Sequence, residues 1–430
     1  MKKKSKRRLD GLLWALSVVA NSLARFLSPL IQSVRSTRVP IPASARSVTV
    51  AKFEGIGSMV YAGHLCNTLR KGMPELERIT FLTTKGNSLF ASRLQGVTNV
   101  IALDDSNVLS LLLSSVRLLH KCRSDVYIDL EVYSNFSALF CTATFSWWRV
   151  GFFRQSANVR TGMFTHSVFF NLRKHIVYNY LQTARALRIP LTPIVLSAPR
   201  VDESDRVRVR ALLNPLSCKK FIGINPNASD LLIERRWPPK KFAECMDILA
   251  YVFPAVRFLI FGTKSELMTT RALHSHLSEE VRTRTLDLTA KLEIGELLAA
   301  LSYCDVLITN DSGPMHLAFS LDVPTVSLWG PGDPDHYGPL NHNTNRICRE
   351  LVFCAPCIYQ TDPPPCRGQN ICMQRLSVAN VVQAVVELFS STANRQISTP
   401  VSLSREEFYP DGRAAAVAAD HFIRIPLHEN

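Results

Sequence analysis

The sequence has no apolar run near its start that could span a membrane, and it has few acidic residues. In this region the longest stretch without an ionised side chain is 11–24, shorter than the roughly 20 residues that a spanning helix needs. Acidic residues number 35 against 50 Lys and Arg, so the formal net charge is +15. That excess favours nucleic acid, anionic lipid or phosphorylated substrates as partners. No nucleic-acid-binding motif is found, so we expect no nucleic acid partner.

Cysteine is used in two ways along the chain. Most of the 11 cysteines are single residues in apolar surroundings, as is typical of a protein from a reducing cytoplasm. The loop 348–372 instead contains the spacing Cys354-x2-Cys357-x8-Cys366-x5-Cys372. Four thiolates in a tetrahedron can hold a structural zinc ion. Disulfides and unligated thiols on a packed loop are the alternatives.

The first 38 residues differ in composition from the rest of the chain. Six of the first eight residues are Lys or Arg, and apolar residues including Trp14 follow at helical spacing. This pattern predicts a basic, amphipathic helix that lies on an anionic membrane surface. A helix packed on the protein's own body is one alternative, and a signal or spanning segment is another.

Predicted strands and helices then alternate along the chain. The alternation begins in 39–195 and restarts in 196–390, after a proline-rich stretch at 190–200. This arrangement predicts an α/β fold with two Rossmann-like, doubly wound parallel sheets. The last part, 391–430, is polar and without period, and we interpret it as a tail.

The stretch 304–337 contains the most specific pattern in the sequence. A short apolar strand runs into N-D-S-G-P at 310–314, where Asp311 or Ser312 can cap a helix and the proline fits its first turn. A strand–turn–helix unit presents backbone N–H groups and the positive end of a helix dipole at the carboxyl edge of a sheet. These groups suit a diphosphate, and His316 in the first helical turn could face the same ligand.

Three motifs resemble glycosyltransferase family 9, the ADP-heptose:lipopolysaccharide heptosyltransferases. They are D-S-G-x-x-H-x-A from Asp311 with P-x-V-x-L-W-G-P-x-D-P after it, I-G-I-N-P-N-A-S at 222–229 with R-R-W-P at 235–238, and F-L-I-F-G at 258–262. The motifs keep the family's order and spacing. The resemblance implies the GT-B architecture, in which the two domains face each other across a cleft.

The resemblance also implies an activity. Family members invert the sugar's configuration, need no metal, and move a heptose-like sugar from a nucleotide diphosphate sugar to a lipopolysaccharide core or another envelope glycan. ADP-heptose is the first candidate donor. Together with the basic first segment, this places the protein peripherally on the cytoplasmic face of the inner membrane.

The donor side of the predicted site draws on several residue types. The N–H groups at Ser312 and Gly313, with Arg235 or Arg236, are candidates for the diphosphate, because an arginine fork matches phosphate geometry. Donor-side candidates also include Asn225, Glu266 for a ribose diol, Asp311 for the sugar or the loop, and His316 for a phosphate or sugar oxygen. The structural alternatives are surface charges for the arginines, a helix-start carboxylate for Glu266 and a core histidine for His316.

The catalytic base is where the chain departs from the family. Well-known heptosyltransferases have Gly-Asp in the first loop, whereas this chain has Gly57 followed by Ser58. A serine hydroxyl cannot act as a base at neutral pH, so either the base has moved or activity is lost. Glu131 at the end of a strand is the first choice, with Glu54 and His64 as alternatives.

Two other functions remain open at this point. A catalytically silent nucleotide-sugar-binding or scaffold protein of the same fold would explain the serine. A sugar-nucleotide epimerase or hydrolase of the same architecture would turn over the donor without an acceptor.

Overall fold

The computed structural model describes residues 9–11, 13–23, 42–214, 220–228, 232–358, 360 and 364–391. The predicted basic start of the chain and the predicted tail from residue 392 onward lie outside the described residues.

In the part of the chain that the structure describes, the first domain contains six strands and six α-helices. The strands are β1 (Ser47–Ala51), β2 (Arg78–Thr84), β3 (Asn99–Leu103), β4 (Val126–Asp129), β5 (Trp148–Phe153) and β6 (His166–Phe169). The helices are α1 (residues 9–11 and 13–23), α2 (Ile56–Gly72), α3 (Ser88–Ala91), α4 (Val108–Leu118), α5 (Asn135–Ala143) and α6 (Ile176–Ala186). The strands form one parallel sheet in the order β3-β2-β1-β4-β5-β6.

The second domain repeats this plan. Its strands are β7 (Phe221–Asn225), β8 (Arg257–Ile260), β9 (Thr285–Asp287), β10 (Val306–Asn310), β11 (Thr325–Trp329) and β12 (Asn345–Arg349), in the parallel order β12-β11-β10-β7-β8-β9. Its helices are α7 (Glu203–Leu213), α8 (Pro239–Val252), α9 (Leu267–His276), α10 (Glu279–Thr283), α11 (Ile294–Ser302), α12 (Gly313–Ser320), α13 (Pro334–Tyr337), α14 (Ile371–Arg375) and α15 (Val378–Ser391). The predicted α/β class with two doubly wound sheets is confirmed.

The two domains share one apolar core. Val60 on α2 and Leu181 on α6 belong to the same buried cluster as Leu298 on α11 and Leu317 on α12. The helix layer on one face of the first sheet therefore packs against the helix layer of the second. This packing brings the carboxyl edges of β1 and β4 near the amino terminus of α12.

The opposite face of the first sheet has its own cluster. Leu82 and Tyr127 of the sheet pack there with Leu111 of α4 and Leu9 of α1. Helix α1 is also hydrogen-bonded to this face, because Asn21 Oδ1 accepts from the Gly162 N–H at 2.6 Å. The inner side of α1 thus packs on the protein's own body, which is one of the alternatives given for the first 38 residues. Among the described residues, no helix combines the length and the apolar character needed to cross a membrane.

Edge strands are where the sequence prediction was incomplete. The sequence predicts helices over 168–188, but the chain first forms β6 at the sheet edge and only then α6. The sequence does not predict strand β12, because its only apolar residues are Ile347 and Cys348, which lie between two arginines and form too short a run. Each of these strands has a neighbour on one side only, so it needs less apolar surface.

Candidate active site

The amino terminus of α12 lies at the carboxyl edge of the second sheet, directly after β10. Ser312 is its N-cap residue, and Pro314 lies in the first turn. The Asn225 amide, at the end of β7, donates to the hydroxyls of Ser312 and Thr309, each at 2.8 Å. These bonds fix the turn. Pro314 has no N–H, and the Met315 N–H donates to the Ser312 carbonyl oxygen at 3.2 Å, so the anion site of this helix terminus consists of the N–H groups of Ser312 and Gly313.

Arg235 and Asp311 lie side by side at this terminus. Arg235 Nε is 3.6 Å from Asp311 Oδ2, and its Nη1 donates to the Asp311 carbonyl oxygen at 3.4 Å. Burial raises the pKa of the Asp311 carboxyl, and the Arg235 guanidinium opposes that shift. A Cβ on Gly332 would be 2.4 Å from Asp311 Oδ2, so the loop after β11 fits closely over this carboxylate. The contacts of Asp311 therefore order the loop, with Arg235 beside the helix terminus.

Arg236 and Glu266 take part in local structure. Arg236 donates through Nε and Nη2 to the Ala228 carbonyl oxygen, at 3.0 and 2.6 Å, and so holds the loop after β7. Glu266 Oε2 accepts from the N–H and the hydroxyl of Thr263, at 2.7 and 2.9 Å, in a capping box ahead of α9. Arg235, in contrast, is bonded to Asp311 at the start of α12.

Glu131 is tied to the loop that follows β1. Its Oε1 accepts from Lys52 Nζ at 2.7 Å, from the Phe53 N–H at 2.8 Å and from the Glu54 N–H at 3.3 Å. Burial would raise the pKa of Glu131, but the Lys52 ammonium and these hydrogen bonds outweigh it and leave the pKa below its usual range. A carboxylate with a lowered pKa and three donors on one oxygen is a weak base, and its geometry is that of a group that positions the loop.

Glu54 and Ser58 lie on either side of the start of α2. The side chain of Glu54 is exposed, and its charge contributes to the raised pKa of Lys52. Ser58 is half-buried, and its side chain opposes the rise that burial causes in the pKa of the buried Tyr180 on α6. Of the three carboxylate and hydroxyl candidates on this side, Glu54 is the exposed one.

His316 joins the two domains beside this loop. Its Nδ1 is 3.0 Å from the hydroxyl of Tyr61 on α2, and a Cβ on Gly57 would be 2.1 Å from its ring. Only glycine therefore allows α2 to approach α12 this closely. Burial and the charge of Arg235 lower the pKa of His316 to about 3, so its imidazole is neutral at physiological pH.

His64, an alternative base, lies farther along α2. Its Nδ1 is 3.0 Å from the Val195 carbonyl oxygen, and burial lowers its pKa. The ring is buried against the connection between the domains, which is a packing environment.

A buried ion pair that the sequence analysis did not identify supports the loop around Glu131. Arg160 and Asp129 are fully buried, and Arg160 Nη2 donates to Asp129 Oδ2 and to the Glu131 carbonyl oxygen, each at 2.8 Å. Arg160 also donates to the Val132 carbonyl oxygen. Burial raises the pKa of Asp129 to about 6, although Arg160 opposes the shift. Because the partners are 31 residues apart, no local motif marks them.

Cys357 and Cys372 of the predicted zinc site have raised pKa values, with burial as the main cause. Burial raises the pKa of Cys357 to about 11, with smaller contributions from Cys354, Cys372 and Cys366. Within the described ranges, however, no group of three or more His, Cys, Asp or Glu side chains is placed to hold a metal ion. The positions of the four thiols in this structure therefore do not fit a zinc ion.

One acidic triplet that resembles a metal-binding Asp-x-Asp motif has a structural role. It is Asp333-Pro334-Asp335, at the start of α13. Asp333 caps this helix, since its Oδ1 accepts from the Asp335 N–H at 3.0 Å.

Comparison with known proteins identifies the family. The family model for glycosyltransferase family 9 (heptosyltransferase) matches residues 113–366. Lipooligosaccharide heptosyltransferase 2 of Campylobacter jejuni is 29% identical over 179 residues, which are 41% of this chain and 54% of that protein. Lipopolysaccharide heptosyltransferase 2 of Salmonella typhimurium is 26% identical over 155 residues, 36% of this chain and 44% of that protein. The chain thus matches about half the length of these relatives.

A solved structure gives the same result for the fold. The E. coli ADP-heptose lps heptosyltransferase II covers 81% of this chain and 99% of its own, with a TM-score of 0.67 at 21% identity. The architecture is therefore GT-B, as the motifs imply. Because the family model covers more than half of the 430 residues, this chain belongs to glycosyltransferase family 9.

Proposed function

We propose that this protein is an inverting, metal-independent glycosyltransferase. It transfers a heptose-like sugar, with ADP-heptose as the first candidate donor, to a lipopolysaccharide core or another envelope glycan. One observation carries the proposal: the loop after β1 and the start of α12 meet across the cleft. A Cβ added to Gly313 would lie 3.9 Å from the Cβ of Ile56. The names of the relatives, which are heptosyltransferases, support the choice of sugar.

The donor half of the reaction is assigned to the second domain. The departing diphosphate accepts hydrogen bonds from the N–H groups of Ser312 and Gly313, in the turn that the bond from Asn225 to Ser312 fixes. Arg235 supplies positive charge beside them, and His316 is a neutral donor or acceptor for a phosphate or sugar oxygen. Together these groups stabilise the charge that develops as the glycosidic bond breaks.

The acceptor half is assigned to the first domain, with Glu54 as the base. Its side chain is exposed, on a loop that borders the start of α12. Glu131, which the sequence analysis favoured, becomes a positioning residue, because its Oε1 holds the backbone N–H groups of Phe53 and Glu54 in place. Ser58, at the family's aspartate position, is proposed to orient the acceptor hydroxyl through its own hydroxyl.

The test is a transfer assay with ADP-heptose and a lipopolysaccharide acceptor that lacks heptose. Binding of ADP is measured in parallel by calorimetry, along with binding of UDP and GDP. We expect transfer with the wild type, preferential binding of ADP, and loss of transfer with retained ADP binding in Glu54→Gln. Binding without transfer to any tested acceptor would favour the silent scaffold protein, and donor turnover without acceptor would favour an epimerase or hydrolase.

We also propose that the protein works at the cytoplasmic face of the inner membrane, on a lipid-linked acceptor. The support is the basic start of the chain and the exposed side of α1, where Trp14 is 54% accessible. Fractionation of cells tests this: most of the protein should sediment with membranes at low salt and be released at high salt. Sedimentation that high salt does not reverse, or its absence at low salt, would contradict a peripheral location.

A further inference from the structure

Helix α4 has apolar residues on both of its sides. Leu111 is buried in the cluster on the outer face of the first sheet, as is expected for a helix that covers a sheet. The opposite side of α4 is also apolar and is exposed to solvent. It consists of Leu109, Leu112, Leu113 and Val116, with exposed fractions of 66, 41, 62 and 77%. Their spacing of three and four residues places them in one row along the helix.

Helix α1 presents a second apolar row on the same face of the domain. Its Leu9 lies in the same cluster as Leu111, so both helices pack on the sheet face that points away from the second domain. Asp10 Oδ1 and Asn21 Oδ1 accept from the backbone at Phe136 and Gly162, which turns the polar side of α1 inward. Its exposed large side chains are therefore apolar: Trp14, Leu16, Val19 and Leu23, each between 54 and 58% exposed.

Basic residues follow the row on α4, and in the sequence others precede α1. Arg117, Lys121 and Arg123 are exposed at the carboxyl end of α4, and six Lys or Arg lie among the first eight residues of the chain. Within the described residues, no ion pair is found for the three basic side chains that follow the row on α4. An apolar row flanked by uncompensated positive charge matches a surface that is apolar inside and anionic outside.

We propose that the outer sides of α4 and α1 together dock on an anionic lipid bilayer. The apolar side chains enter the boundary between head groups and acyl chains, and the basic side chains bind lipid phosphates. A second copy of this chain is a poorer occupant, because two-fold pairing would bring the same basic residues together. The bilayer would lie against the first domain, on the side opposite the second domain. This inference goes beyond α1 as a single anchor, because it makes α4 part of the contact.

The test is co-sedimentation of the full chain with vesicles, without donor or acceptor. Vesicles of phosphatidylcholine with 30% phosphatidylglycerol are compared with vesicles of phosphatidylcholine alone. The α4 variant is Leu109→Gln/Leu113→Gln/Val116→Gln, and the α1 variant is Leu16→Gln/Val19→Gln/Leu23→Gln. The matched control, Tyr251→Gln/Met268→Gln, changes two apolar residues of the second domain that are 87 and 74% exposed.

We expect the wild type to prefer the anionic vesicles. The α4 and α1 variants should each lose at least tenfold in partition coefficient, and the control should stay within twofold of the wild type. A wild type that does not bind, or an α4 variant that binds like the wild type, would overturn the proposal. So would an α4 variant that changes from dimer to monomer in solution with unchanged vesicle binding, since the row would then be a protein interface.

A charge variant keeps the test decisive if the α4 variant does not fold. Arg117→Glu/Lys121→Glu leaves the apolar row intact. We expect it to weaken binding to the anionic vesicles at least fivefold, and equal binding would overturn the proposal. The result is independent of the proposed transferase activity, because no step of the assay requires sugar transfer.

Discussion

The two sides of the cleft are built by different means. On the side of the second domain, neutral groups close together in sequence or at neighbouring strand ends fix the turn before α12, as in the bonds from Asn225 to Ser312 and Thr309. On the side of the first domain, buried ion pairs fix the loops. The pair of Lys52 and Glu131 joins residues that are 79 positions apart. The pair of Arg160 and Asp129 joins residues that are 31 positions apart.

The difference separates binding from catalysis. A diphosphate is the same ligand whatever sugar or acceptor is used, so a fixed backbone turn and one guanidinium are sufficient to hold it. The acceptor side must place a base at one hydroxyl of one glycan. A rearrangement of the charged residues on that side changes which residue can serve as the base. We therefore expect substitutions on the first-domain side to affect rate and stability, and those on the second-domain side to affect donor affinity.

The largest effect is expected from Glu54→Gln. Removal of a general base lowers the transfer rate by about 10²–10⁴-fold, while ADP affinity should remain within twofold of the wild type. Steady-state transfer and calorimetry measure the two quantities. Should Glu131→Gln, in folded protein, reduce the rate further than Glu54→Gln does, the roles assigned to the two carboxylates are reversed.

The ion pair of Lys52 and Glu131 should account for the next largest effect. Lys52→Met leaves Glu131 buried without its cation, which costs about 3–5 kcal/mol in the free energy of unfolding. Denaturant unfolding measures this loss. Lys52→Met/Glu131→Gln is the matched control, since removal of both charges should restore part of the stability.

The pair also predicts a pH dependence of stability. The pKa of Glu131 in the folded protein is below its ordinary value of 4.5, so the stabilisation is present above pH 4.5 and declines as the pH falls below it. The pKa of Lys52 is raised above 10.5, so its contribution persists until the pH rises past that value. The stability difference between the wild type and the double variant should thus be constant between pH 6 and 9 and shrink near pH 4. An unchanged difference at pH 4 would contradict the assignment.

Arg235→Ala should weaken ADP binding by about 10–100-fold, the range for loss of one charge-assisted contact. Arg236→Ala is the control, because its guanidinium is bonded to the Ala228 carbonyl oxygen. For that variant we expect lower stability and an ADP affinity within threefold of the wild type. Equal losses of affinity in both variants would mean that both arginines contact the diphosphate.

The smallest effect separates two roles of Glu266. Glu266→Ala removes the capping box with Thr263 that precedes α9 and should destabilise the protein by about 1 kcal/mol. Glu266→Gln preserves the capping box, so its stability should equal that of the wild type. If ADP affinity nevertheless falls several-fold in Glu266→Gln, the carboxylate also binds the ribose. If ADP affinity is unchanged, the capping box is the role of Glu266.

Local sequence motifs predict the turn before α12 better than they predict the contacts of the loop after β1. Asn225, Ser312 and Pro314 lie where local motifs place them, since a strand, a turn and a first-turn proline are short-range signals. The partner of Glu131 could not be predicted, because a contact between residues 79 positions apart depends on which strands lie next to each other in the sheet. The contact of His316 with Tyr61, 255 positions away, depends in turn on how the two domains pack.

The apolar core shared by the two domains has a consequence for how this protein unfolds. Wide separation of the domains would expose α2 and α6 on one side and α11 and α12 on the other, at the free-energy cost of hydrating that surface. Neither sheet can therefore lose its partner and keep its own stability. The described domains should melt in a single calorimetric transition, so a lesion in either half lowers the thermal resistance of the whole.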